Sequence, residues 1–147
     1  MFDICFLGTM SAVPTRERAL TSTLIVHGQR RFLVDCGEGV QQRLLQSGRG
    51  FAGLTRVFLT HAHLDHYIGL ASLLFTLDTL NAVVQVEVFA EAQTLQLVDR
   101  LLSLWEPRDS ITVTRREIRD GVLLEDDELR ISAVSLAHTV PSYAFVF

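Results

Sequence analysis

Lysine is absent from this 147-residue chain: all thirteen basic residues are arginine. Cysteine is scarce. Cys5 and Cys36 are the only two, and both sit in apolar runs, which suits small buried hydrophobes and excludes a disulfide framework. No apolar run is long enough to span a bilayer and no signal-peptide pattern opens the chain, so a cytoplasmic protein without membrane contact is expected. A positive excess is missing too. The net charge of −4 and pI of about 5.7 argue against non-specific coating of nucleic acid, DNA included, but leave room for a local basic patch. There is no internal repeat, low-complexity segment or domain linker, and the helical H-E-x-x-H zinc pattern does not occur. What is present is a chain that is 48% hydrophobic, long enough for one domain with one core.

Histidine is concentrated in one place. Thr60-His61-Ala62-His63-Leu64-Asp65-His66 holds three of the five histidines and a carboxylate. It follows the apolar run Val57-Phe58-Leu59 and precedes Tyr67-Ile68-Gly69-Leu70, which reads as strand, loop, helix. Four such groups at a strand end cannot all point into a core. Imidazole is a good nitrogen donor for zinc and aspartate adds a hard oxygen. In an extended loop His61 and His63 point the same way and can share one metal. Asp65 and His66 lie where the chain turns into the helix, within reach of a second. The plain alternative is a solvated turn with Asp65 as a helix cap.

Taken in order, Phe2–Leu7 reads as a strand ending at Gly8. A loop to Leu20 follows, carrying Pro14, Arg16 and Arg18. Thr23–Val26 and Arg31–Asp35 read as a hairpin joined through His27-Gly28-Gln29, with His27 at the surface. Asp35-Cys36-Gly37-Glu38-Gly39 is a glycine-flanked turn before a helix from Val40 to Ser47, with Gly48 as its stop. Leu54–Leu59 delivers the histidine loop. Ile68–Leu80 and Glu91–Leu104 read as helices, and Val83–Phe89, Ile111–Ile118, Leu129–Leu136 and Ser142–Phe147 as strands. The acidic run Glu125–Glu128 reads as a solvated turn. Alternating elements followed by a strand-rich close predict an α/β, layered α+β, fold with a mixed sheet covered on one face by helices.

Four stretches in this order resemble one family: Phe6-Leu7-Gly8-Thr9 with Pro14-Thr15-Arg16-Glu17-Arg18; Asp35-Cys36-Gly37-Glu38-Gly39-Val40-Gln41; the histidine loop; and His138-Thr139-Val140-Pro141-Ser142-Tyr143. They resemble ribonuclease Z, the endonuclease that trims the 3′ trailer of precursor transfer RNA, within the metallo-β-lactamase-fold superfamily. The histidine loop is shared across that superfamily; the other motifs are more specific. The resemblance covers the whole chain but only the N-terminal half of the family's length. It implies the αββα fold and a single domain over residues 1–147, truncated before the last metal-ligand motifs.

By this resemblance His61, His63 and His138 bind one zinc, and Asp65 and His66 bind another. The complete fold holds two Zn2+, of which one is expected to be retained here. Asp65 also takes the catalytic role of accepting or orienting a proton of the attacking water. Asp35 supports the ligating imidazoles from behind, and Arg16 and Arg18 meet RNA phosphates. The chain departs from the family at Ala19, where asparagine is usual, and at Leu64 and Ala144, where glycine is. The family's bridging aspartate, last histidine ligand, proton-donating histidine motif and transfer-RNA-gripping arm have no counterpart. Two further readings stand beside the endonuclease: another hydrolase of this fold acting on a small phosphodiester or ester, and an inactive metal-binding remnant or interaction module. Tyr143, Phe145 and Phe147 fall on one side of the last strand. They predict an unpaired apolar face, and hence a homodimer or a separate chain supplying the C-terminal half.

Overall fold

The computed structural model describes residues 1–106 and 111–147. Two sheets face each other, and helices cover the outside of the larger one. The first sheet has six strands in sequential order: β1 (Phe2–Gly8), β2 (Ser22–His27), β3 (Arg30–Val34), β4 (Leu54–Phe58), β5 (Gln85–Ala90) and β6 (Thr112–Glu117). β1, β2 and β3 pair antiparallel, while β3 through β6 are parallel. The β2–β3 hairpin closes on the His27↔Arg30 pair, leaving Gly28-Gln29 as a two-residue turn. Gly28 has φ 60°, a positive value that such turns require.

Parallel neighbours need crossovers, and the helices supply them. α1 (Val40–Gln46) lies between β3 and β4, α2 (Leu70–Thr79) between β4 and β5, and α3 (Ala92–Leu102) between β5 and β6. Glu91 caps α3 by accepting from the Gln93 amide at 2.8 Å. Leu44, Leu70, Leu73, Leu74, Leu77 and Val98 from the helices share one aliphatic core with Leu24, Leu33, Val57, Val86 and Val88 of the sheet. α2 is apolar enough that Leu70, Leu73, Leu74 and Leu77 are all fully buried. Among the described residues no helix is long and apolar enough to cross a membrane.

The mixed α/β architecture is the expected one, but the closing strands do not extend the first sheet. β7 (Gly121–Glu125), β8 (Arg130–Leu136) and β9 (Ser142–Val146) form a second, antiparallel sheet. β7 has no sequence forecast. It is five residues long with an irregular register between Val122 and Leu124, and a bulge hides the period-two signal. The acidic run is more than a solvated turn. Asp126 accepts from the Glu128 and Leu129 amides and pairs with Arg30 at 2.7 Å, tying the second sheet to the first hairpin.

The expectation of an open face at Tyr143, Phe145 and Phe147 is overturned. These residues point at the first sheet and pack on its aromatic side. Phe58 lies 5.1 Å from Phe145 and 5.7 Å from Phe147, between ring centroids, and stacks on Phe89 at 4.6 Å. Alternation told correctly that the three share a side; folding back decided that this side is covered. The uncovered apolar surface is elsewhere. Val134, Leu136 and Val146 are exposed on the opposite side of the second sheet. Phe2, Ile4 and Phe6 are exposed on β1, on the inter-sheet face that Ile4 shares with its partner Ile25.

Candidate metal centre

The residues of the cluster come from strand ends and the loops that leave them. Asp35 follows β3, Thr60 and His61 follow β4, and His138 lies in the turn between β8 and β9. β3 and β4 are adjacent and parallel, so their carboxyl ends open on one side, where open parallel sheets bind ligands. After β4 the chain bends at Ala62, is extended at His63 and then makes one 3-10 turn, Leu64–His66. The turn after β3 is fastened to it: the Cys36 amide donates to the His66 carbonyl at 2.7 Å, and the Gly69 amide to the Cys36 carbonyl at 2.9 Å. This approach needs glycine. A Cβ on Gly69 would sit 2.0 Å from the Gly37 carbonyl oxygen. The second sheet is fastened to the same loop, since the Tyr143 amide donates to the Thr60 carbonyl at 2.9 Å and Ser142 bridges His61.

The result is a cluster of imidazoles. Ring centroids of His61 and His63 are 4.6 Å apart, His61 and His138 5.0 Å, and His63 and His138 5.2 Å. One ligating atom from each of these three lies within 4.8 Å of the others. His61 Nε2 and His63 Nδ1 approach to 2.9 Å, so their lone-pair directions converge. His66 stacks obliquely on His61 at 3.9 Å, and its Nε2 is 3.8 Å from Asp65 Oδ2. The structure thus brings together all five residues proposed from the sequence, as a trio and an adjoining pair.

The environment suits a cation. Burial, helped by the neighbouring His66, pushes His61 down to about 4, so the ring is a neutral donor at pH 7. Burial also works against charge on Asp65, but the Ala12 amide, donating at 2.8 Å, and the facing His66 outweigh it and hold the carboxyl below its ordinary range. Burial opposes a charged His66 as well; there the Asp35 hydrogen bond and charge prevail, and the value is raised. Cys36, by contrast, is driven up by burial and by Asp35, which keeps it a thiol and a poor ligand. Three convergent nitrogens beside an oxygen–nitrogen pair fit a transition-metal ion.

Asp35 lies behind the ring of His66. It is buried, and its Oδ2 accepts from His66 Nδ1 at 2.8 Å. Its φ of 59° is a left-handed conformation costly for a non-glycine residue, the sort of strain that gathers at functional sites. Arg16 and Arg18 lie exposed in the loop whose Ala12 reaches Asp65. Among the described residues neither guanidinium has an ion-pair partner. His27 is not a plain surface residue: it is half-buried against Phe2, 4.6 Å between ring centroids. Two participants escaped sequence reasoning. The Ala12 amide is backbone and leaves no residue signal. The Thr60 hydroxyl had one, its position directly before His61.

Comparison with known proteins agrees with this picture. The family model described as Anti-Pycsar protein Apyc1 matches residues 2–108. The chain belongs to that family. It is also similar to ribonuclease Z of Bradyrhizobium sp. (strain ORS 278), 37% identical over 150 residues that cover 100% of this chain and 50% of that relative. The chain therefore spans about half the length of the curated ribonuclease Z relatives it matches. Among solved structures, human tRNase Z, short form, superposes with a TM-score of 0.87 at 25% identity, covering 99% of this chain and 64% of that one. Zn(2+)-bound PqqB from Methylobacterium extorquens shares the fold, with a TM-score of 0.70 at 17% identity over 92% of this chain and 56% of that one. The metallo-β-lactamase fold and the likeness to the N-terminal half of ribonuclease Z are as the motifs implied.

Proposed function

We propose that this chain carries the metal-binding half of a zinc-dependent hydrolase that removes the 3′ trailer from precursor transfer RNA. The convergence of His61, His63 and His138 beside Asp65 and His66 carries the reading. On this reading the trio holds one zinc, while Asp65 and His66 contribute to a second whose remaining donors come from outside the chain. Zinc would act as a Lewis acid on the phosphoryl group and acidify a water. Asp65 supplies the base: Oδ2 is engaged by Ala12, leaving Oδ1 to accept a proton. Arg16 and Arg18 offer planar forks to RNA phosphates. The departing 3′-oxygen takes its proton from a group outside this chain. Residues 1–147 act as one domain, completed by a second copy or by the length that the relatives carry beyond the matched half.

The test is cleavage of precursor transfer RNA by the zinc-loaded chain. Zinc-dependent trailer removal is expected, slower by several orders of magnitude than in a full-length relative and lost in Asp65→Ala. Replacing both Arg16 and Arg18 with alanine should flatten the salt dependence of RNA binding, lowering the log–log slope by about 0.7 for each phosphate that an arginine no longer neutralises. Absence of cleavage even with a full-length relative's C-terminal half supplied would reject the reading. Full-rate cleavage by the chain alone would show that the missing donors are not needed, or that a second copy provides them.

One observation favours a second reading, hydrolysis of a small phosphodiester or ester. A cavity of about 430 Å³ opens beside the cluster, lined by His61, His66, His138, Leu136, Tyr143 and their neighbours. That volume suits a small ligand. Turnover of a nitrophenyl phosphodiester without any cleavage of precursor RNA would support it.

A further inference from the structure

We infer that Thr60 is a positioning residue whose hydroxyl links Asp35 to His61, so that one buried carboxylate orients an imidazole in each of the two ligand groups. Thr60 Oγ1 lies 2.9 Å from Asp35 Oδ1 and 3.0 Å from Oδ2, 2.9 Å from His61 Nδ1 and 3.2 Å from His66 Nδ1. A hydroxyl has one proton to give. A carboxylate only accepts, so the proton goes to Asp35 and the oxygen is left to accept from His61 Nδ1–H. His66 Nδ1 is closer to Asp35 Oδ2, at 2.8 Å, and donates there directly. Both rings are then held as Nδ1–H tautomers, with both Nε2 atoms directed away from Asp35. The His61 Nε2 lone pair meets His63 Nδ1, and His66 Nε2 faces Asp65.

The hydroxyl can be removed without moving the loop. The Thr60 amide donates to Asp35 Oδ1 at 2.9 Å, and its carbonyl accepts from the Tyr143 amide. These backbone bonds survive a side-chain change, and valine has nearly the shape of threonine. In Thr60→Val, His61 Nδ1 loses its acceptor and the ring is free to take either tautomer, whereas His66 keeps Asp35.

The inference rests on the metal-binding reading for its consequence, but not for its first observable. Long-range nitrogen–proton NMR on the metal-free protein at pH 8 reads the tautomers. Wild type should show Nδ1–H on His61 and His66. Thr60→Val should show mixed or Nε2–H tautomers at His61 alone, and Thr60→Ser should restore the wild-type pattern. Chelator competition should then give a zinc affinity lowered about 10- to 100-fold in Thr60→Val, the usual effect of losing a group that orients a ligand, and recovered to within a few-fold in Thr60→Ser. If Thr60→Val does not fold, Thr60→Ala carries the same test. An unchanged His61 tautomer in the variant lacking the hydroxyl overturns the inference. Failure of wild type to bind zinc overturns the metal reading instead, and leaves the tautomer result to decide the role of Thr60.

Discussion

The two faces of the six-stranded sheet are built differently. The helix-covered face is aliphatic and closed, with leucines and valines from α1, α2 and α3 packed on Leu24, Leu33, Val57, Val86 and Val88. The other is aromatic, with Phe32, Phe58 and Phe89 meeting Phe145, Phe147 and Ile131 of a sheet only three strands wide. That narrow sheet leaves Phe2, Ile4 and Phe6 of β1 uncovered, and its own outer side exposes Val134, Leu136 and Val146. The candidate centre straddles the two. His61, His63, Asp65, His66 and Asp35 belong to the first sheet and its loops; His138 alone comes from the second, and is exposed. Ligand placement on the closed side is local, whereas His138 depends on the docking of a thin layer.

The largest effect is expected at the ligands. Replacing both His61 and His63 with alanine should lower zinc affinity by more than about 100-fold, since it removes two of three convergent donors. His138→Ala should cost less, because it removes one donor of the three and leaves the paired His61 and His63 in place. Cys5→Ala should leave zinc content unchanged. Zinc stoichiometry after dialysis measures all three, and retention of metal without His61 and His63 would defeat the assignment.

Next in size is the aromatic interface. Phe58→Ala should destabilise the chain by about 3–5 kcal/mol, comparable with the 2–5 kcal/mol expected for Leu73→Ala on the helix side. Urea denaturation of both variants compares the two faces directly. A cost near zero for Phe58→Ala would mean that the second sheet does not close this core.

A smaller effect sets His61 and His66 apart by pH. Metal-free His61 titrates near 4 when folded, against 6.5 ordinarily. Between those values the unfolded chain binds a proton there that the folded chain does not, so stability falls as pH drops from 6.5 toward 4. His66, raised by Asp35 against the effect of burial, acts oppositely. Its contribution is complete below 6.5 and is lost as pH rises through the folded value. Urea midpoints of metal-free wild type and His61→Gln between pH 7 and 4.5 test this. The variant should show the shallower decline, and identical slopes would refute the role given to His61.

The smallest change in stability is expected on the outer side of the second sheet. Val134→Thr with Leu136→Thr should alter stability by no more than about 0.5 kcal/mol each, yet weaken self-association, because exposed apolar patches mark contact sites. Sedimentation velocity over a dilution series reads this. A wild type that stays monomeric throughout, or an unchanged association in the double variant, would place any interface elsewhere.

The sequence alone marked the candidate donors of the centre and most of the elements. H-x-H-x-D-H at a strand end was legible as a set of candidate donors from residue type and spacing, whereas Asp35 and His138 entered only through the family resemblance of the motifs around them. The helices were legible because a 3.6-residue apolar period is a local property. Tertiary structure alone decided which surfaces meet. The side shared by Tyr143, Phe145 and Phe147 could be read from alternation, but whether it was covered depended on the fold-back of β7, β8 and β9. The nearness of the Thr60 hydroxyl to Asp35 depended on β3 and β4 being parallel neighbours, and the Ala12 bond to Asp65 on a backbone amide that any residue would provide. Local pattern sets what each segment can offer; long-range packing, which no window of sequence contains, sets what it is offered to.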